Sequence, residues 1–148
     1  MESNPALLSG AILLALALLA GLWLKFSAGR GKQVSNREVI DLSKLKAKKG
    51  KGQAKAFGKK ATLLQFSTEY CGQCPGVRRQ LTDLEKQIDG LLYLDVDITE
   101  RLDLAAHFSV SQTPTVFVLN PRGEIKFRVA GTPKPGIIQN ELKKLGAL

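Results

Sequence analysis

Residues 62–77 read TLLQFSTEYCGQCPGV, and they hold both cysteines of the chain, Cys71 and Cys74, three positions apart. Thr62 to Ser67 is a short apolar run bounded by lysines before it and by Thr68-Glu69-Tyr70 after it, the pattern of a strand buried on both faces. Beyond the cysteines, Val77, Leu81, Leu84 and Ile88 recur at helical spacing until Asp89-Gly90 ends the run. The pair therefore falls where a buried strand gives way to an amphipathic helix. A thiol at a helix start meets unpaired backbone N–H groups and the positive end of the helix dipole, so its thiolate is stabilised. Cys71 is the expected nucleophile and Cys74 the resolving thiol, with Gly72 leaving the first sulfur approachable and Gln73 helping to set the potential.

Two other readings of the pair compete. Zinc needs about four ligands, and beyond the pair the chain offers only His107 among the usual nitrogen and sulfur donors, so no metal is expected. Two inert core thiols are the plainer alternative, and placement at a helix start weighs against it. His107 itself reads as an ordinary surface or half-buried residue.

Downstream of the helix, LLYLDVD (91–97) reads as a second strand, 99–108 as a helix with Thr99 at its N-cap, and TVFVL (115–119) with EIKFRVA (124–130) as a hairpin around Asn120-Pro121-Arg122-Gly123. Residues 135–145 close the chain as an amphipathic helix. Strands alternating with helices and ending in an antiparallel pair imply an α/β fold, a central mixed sheet flanked by helices.

The segments TLLQFSTEYCGQC and LLYLDVDITERLDLAAHFSVSQTPTVFVLNPRGE together resemble the thioredoxin family over residues 61–148. The resemblance implies a thioredoxin-like fold, a thiol–disulfide oxidoreductase acting without a cofactor, and a cis-proline facing the cysteine pair. Thr113-Pro114 matches that proline. A proline there has no N–H and can begin a strand, leaving the Thr113 backbone to pair with a bound substrate segment. Gly131 matches a family glycine that keeps the substrate groove open. The chain also departs from the family pattern. Tyr70 replaces the usual Trp and Gln73 the usual Pro. Gln65 stands where a buried carboxylate commonly accepts the second thiol's proton, and Tyr93 stands where a lysine is common. Gln65 cannot act as a base, which leaves water or Glu69 to activate Cys74.

Ahead of this domain lie three differently composed stretches. Residues 1–5 form a leader. Ala6 to Leu24 is 19 residues without a charge, about 28 Å as a helix against a ~30 Å hydrocarbon core, and reads as an uncleaved transmembrane helix. Lys25, Arg30, Lys32 and Arg37 follow it, so the positive-inside tendency places the domain in the cytoplasm, the extracytoplasmic side being the alternative. Residues 25–60 carry 12 basic residues against two acidic ones, whereas residues 61–148 balance ten against ten, so the formal charge of +9 belongs to this connector. It reads as a basic, Lys- and Gly-rich linker able to lie on anionic lipid headgroups, with part of 35–46 packing on the domain. Fully flexible, it would span about 33 Å. Nucleic-acid binding is not expected, because the segment lacks interleaved aromatics and a reading motif.

The chain is thus expected to be a membrane-tethered oxidoreductase that reduces or exchanges disulfides in protein or small-molecule substrates, regenerated by an upstream dithiol reductant. A non-catalytic thioredoxin-fold module that binds a membrane partner is the rival reading.

Overall fold

The computed structural model of the chain describes residues 5–27, 29–34, 38–46, 48–49, 52–54 and 56–148. Residues 1–4 of the expected leader, and Arg37 among the flanking charges, lie outside the described residues. In chain order the elements are α1 (Pro5–Ser27), β1 (Gly31–Gln33), α2 (Leu42–Leu45), β2 (Lys48–Lys49), β3 (Gly52–Gln53), β4 (Ala61–Ser67), α3 (Cys74–Gln87), β5 (Leu91–Asp97), α4 (Leu102–His107), β6 (Thr115–Leu119), β7 (Ile125–Ala130) and α5 (Ile137–Lys144). The described strands form one sheet in the order β1-β7-β6-β4-β5-β2-β3.

All seven residues of β4 are buried, which its apolar sequence anticipates. It pairs in parallel with β5, Ala61 to Ser67 facing Leu91 to Asp97, and antiparallel with β6. Alternation along β4 divides the core in two. Leu64 and Phe66 join Leu92, Leu94, Val96, Phe117 and Phe108 on one face, closed by Leu104 of α4 and by Ile40, Leu42 and Leu45. Ala61 and Leu63 join Val116, Val118 and Val129 on the other, under Val77, Leu81 and Leu84 of α3 and Ile138 and Leu142 of α5.

Residues 25–60 are expected to be mostly a tether with part of 35–46 packing on the domain. Among the described residues Ile40, Leu42 and Leu45 do pack into the core, while Gly31–Gln33 and two short strands join the sheet as well. β1 pairs antiparallel with β7, Gly31 opposite Val129 and Gln33 opposite Phe127. The Gln33 side chain donates to the buried carboxylate of Glu141 on α5 at 2.7 Å. A Cβ at Gly31 would lie 1.7 Å from the Phe127 ring, so glycine is what lets this strand approach. Val39 bridges to Glu124, and Lys48 of β2 pairs with Asp95 of β5. These contacts come from fragments two to four residues long, too short to show a periodicity.

α4 starts at Leu102, later than the expected Thr99. The Asp97 carboxylate accepts from the Thr99 N–H at 2.9 Å and from its hydroxyl, so Thr99 closes a turn and Arg101 occupies the cap position. α5 likewise begins after Gly136, whose φ of +78° turns the chain into the helix. α1 is the one described helix long and apolar enough to cross a membrane, and its side chains from Leu8 to Phe26 are exposed.

The β6–β7 turn is tied by its side chains. Asn120 Oδ1 accepts from the N–H groups of Arg122 and Glu124, both at 3.0 Å. Lys126 and Arg122 flank the Glu124 carboxyl and, with Asn120, hold it down at about 2 against an ordinary 4.5. A depressed folded-state value adds stability that is complete above the unfolded value and lost as pH falls toward the folded one. Replacing Glu124 with Gln is therefore expected to flatten the decline in thermal midpoint between pH 4.5 and about 2. An unchanged acid limb would contradict this reading of the turn.

Candidate active site

β4 ends at Ser67, and the chain leaves the sheet through a tight loop closed by Cys71 N–H to Thr68 O at 3.2 Å. α3 starts at Cys74, with Gln73 in the cap position and Pro75 in the first turn, where a missing N–H costs little. Cys71 and Cys74 form a disulfide with Cα atoms 5.4 Å apart. The two sulfurs differ in environment. Cys74 is buried at 2% exposure, whereas Cys71 is half-buried and flanked by exposed Gly72 and Gln73. The Cys74 backbone N–H donates to Cys71 Sγ at 3.2 Å, so the sulfur of the less buried cysteine sits against the first donor of the helix.

Two further loops meet this one. The Thr113–Pro114 bond is cis, and the Thr113 hydroxyl lies 3.3 Å from that of Thr68 at the end of β4. Pro114 O accepts from the Gly131 N–H at 2.7 Å. Gly131 has φ +83°, a backbone region that disfavours side chains, and a Cβ there would come 3.2 Å from Gln112 Nε2. Next to it the Thr132 hydroxyl donates to Gln73 Oε1 at 2.8 Å. The expected site residues Gln73, Thr113, Pro114 and Gly131 are thus brought together around the disulfide. Tyr70, one residue before Cys71, is 84% exposed, and the adjacent Glu69 carboxylate raises the pKa of its hydroxyl. The Glu69 N–H donates to Thr99 Oγ1 at 3.0 Å, which ties the loop to the end of β5.

The thioredoxin family model matches residues 44–144. The chain belongs to the thioredoxin family. Thioredoxin H-type 1 of Nicotiana tabacum is 32% identical over 85 residues, 57% of this chain and 67% of its own. Thioredoxin H3 of Arabidopsis thaliana is 33% identical over 82 residues, 55% and 69%. Among solved structures, the Fasciola hepatica thioredoxin superposes with a TM-score of 0.50 at 21% identity, covering 59% of this chain and 82% of its own. A point-mutant thioredoxin from Halobacterium salinarum gives 0.52 at 20%, covering 61% and 78%. The family relation and the Cys71–Cys74 disulfide together support thiol–disulfide oxidoreductase chemistry.

Beneath the disulfide this thioredoxin-family chain carries a neutral pair. Gln65 is fully buried; its Nε2 donates to Cys74 O at 3.2 Å, and its Oε1 accepts from the Tyr93 hydroxyl at 2.9 Å. Gln65 therefore braces the first helical residue from below while satisfying its own amide. Burial, with the Asp95 charge added, pushes the Tyr93 hydroxyl above its ordinary range, so it remains a donor at physiological pH. Arg78 pairs with Asp95 at 2.6 Å, and Asp95 also accepts from Ser67 Oγ at 2.7 Å. Reasoning from the sequence missed Thr68, Thr132, Arg78 and Asp95. Thr132 adjoins Gly131 and could have been found from it, whereas Arg78 and Asp95 meet only through the packing of α3 on β5. Among the described residues no cluster of His, Cys, Asp and Glu could hold a metal ion.

Removing the Tyr93 hydroxyl leaves Gln65 Oε1 buried without its donor, so Tyr93→Phe is expected to cost about 1–3 kcal/mol in chemical or thermal unfolding. Gln65→Leu combined with Tyr93→Phe should recover most of that loss, because both partners become apolar. A neutral Tyr93→Phe variant would contradict the pairing.

Proposed function

We propose that the chain is a membrane-anchored disulfide reductase in which Cys71 attacks the substrate and Cys74 resolves the intermediate. The observation that carries this reading is the asymmetry of the pair: Cys71 is half-buried and its Sγ accepts from the Cys74 N–H, while Cys74 is buried. In the dithiol state that donor and the N-terminus of α3 favour the Cys71 thiolate. The thiolate attacks one sulfur of the substrate disulfide. That bond breaks, one substrate sulfur leaves as a thiolate and is protonated, and a Cys71–substrate mixed disulfide forms. Cys74, losing its proton to water, then attacks Cys71 Sγ, and the second substrate sulfur leaves and is protonated. The substrate gains two electrons and two protons, and the chain ends as the Cys71–Cys74 disulfide. A second dithiol of protein or small-molecule class returns it to the reduced state.

Each neighbouring residue has a place in this scheme. The Thr113 backbone and the Gly131 loop border the groove in which an extended substrate segment would lie, and Thr132 fixes the Gln73 side chain beside the pair. Gln65 and Tyr93 hold the buried side without ionising near neutral pH, so proton release from Cys74 falls to water. Glu69 lies exposed at the surface and is not required as a base. The length and composition of α1 support its reading as a membrane anchor, and Lys25, Arg30 and Lys32 on its C-terminal side support a cytoplasmic domain. A cytoplasmic poise favours the dithiol and hence reduction.

In a disulfide-reduction assay of the full-length chain, Cys71→Ser is expected to fall to the background rate, whereas Cys74→Ser should accumulate substrates as mixed disulfides through Cys71. Equal activity of Cys71→Ser and the natural chain would exclude the mechanism. Capture of nothing by Cys74→Ser, with an inactive natural chain, would favour the binding module instead.

A further inference from the structure

α1 ends at Ser27 and β1 begins at Gly31, and the junction between them is docked on the domain. Lys134 Nζ donates to Phe26 O, in the last turn of α1, at 3.0 Å. The Gly29 N–H donates to Ala130 O at 3.1 Å, and the Arg30 N–H to Ser27 O at 3.4 Å. Gly29 is buried with φ +72°, and a Cβ there would lie 2.3 Å from Thr132 O. The junction backbone therefore packs directly on the loop that follows β7. That loop is also a wall of the redox groove, since Gly131 donates to Pro114 O and Thr132 to Gln73. The exit of α1 and the Cys71–Cys74 pair thus share one end of the sheet, with a single loop between them. Lys25, Arg30, Lys32 and Lys134 are all exposed around this exit, a charge pattern that complements anionic headgroups.

We infer that the redox groove is held at the bilayer surface, and that its preferred substrate is a disulfide in the juxtamembrane segment of another membrane protein. This rests on the reading of α1 as a membrane anchor and of the pair as an active dithiol. A flexible tether would let the groove range some tens of ångströms from the membrane. The docked junction confines it to a thin layer instead. Confinement raises the effective concentration of the dithiol for disulfides within that layer and withholds it from those held farther out. The electrons come from the Cys71–Cys74 dithiol, prepared in one reduced equivalent by a small dithiol that is then removed. Each turnover converts one substrate disulfide to two thiols and the pair to its disulfide.

The test uses the pre-reduced full-length chain in vesicles of phosphatidylcholine and phosphatidylserine, together with a synthetic single-span peptide carrying a disulfide loop on the same side. In one peptide the loop directly follows the span; in the other a rigid helical spacer of about 20 residues holds it ~30 Å away. The near disulfide is expected to be reduced at least about tenfold faster. Inserting about 12 Gly/Ser residues after Ser27, spanning roughly 20 Å, should remove that preference while leaving the rate on a small soluble disulfide unchanged. Equal near and far rates with the natural chain, or a preference that survives the insertion, would overturn the inference. A chain that fails to float with the vesicles would instead refute the anchor, and one inert toward the small soluble disulfide would refute the reductase reading.

Discussion

The burial of β4 on both faces is the constraint on which the rest of the structure depends. A seven-residue strand with every side chain enclosed needs a helical layer on each side of the sheet, and its sequence neighbours supply them. α3 and α5 cover the Leu63 face, while α4 and residues 40–45 cover the Leu64 and Phe66 face. Because β4 is central, its C-terminal end opens onto the loop that carries the cysteines, and the ends of β5, β6 and β7 lie beside it. The redox pair, the Thr113–Pro114 bond and the Gly131 loop converge for that reason, although they are separated in sequence.

The buried side of the pair is where this chain departs most from the pattern its family implies. An ionisable pair under a dithiol couples thiol reactivity to a second titration. Gln65 and Tyr93 replace it with a hydrogen bond that is neutral near physiological pH, and a formal ion pair, Arg78 with Asp95, lies at the edge of the same sheet face. Gln65 keeps the geometric part of the job by bracing Cys74 O, and it gives up the chemical part. In the proposed mechanism proton removal from Cys74 falls to water, while Cys71 draws its stabilisation from the helix start.

The strand–loop–helix around the cysteines was legible in the sequence because apolar runs and helical spacing report burial directly. So was the Thr113-Pro114 position, through its family resemblance. The docking of Gly31 to Gln33 on β7 was not, since a three-residue strand has no period and its fit depends on the Phe127 ring across the register. The start of α4 was misplaced because Thr99 suits a cap by residue type, and only the structure shows its N–H and hydroxyl donating to the Asp97 carboxylate. The Gln65–Tyr93 contact was visible as two odd residues, but their hydrogen bond requires knowing that β4 and β5 run in parallel register.

The central claim is that the two sulfurs have different roles fixed by the start of α3. It is tested most directly by the pH dependence of alkylation of each cysteine in the reduced, full-length chain, read by mass spectrometry. The account predicts that Cys71 reacts first, with an apparent pKa below the ~8.5 of an ordinary thiol, and that Cys74 reacts far more slowly. Equal rates for the two cysteines, with an unperturbed pKa at Cys71, would contradict it.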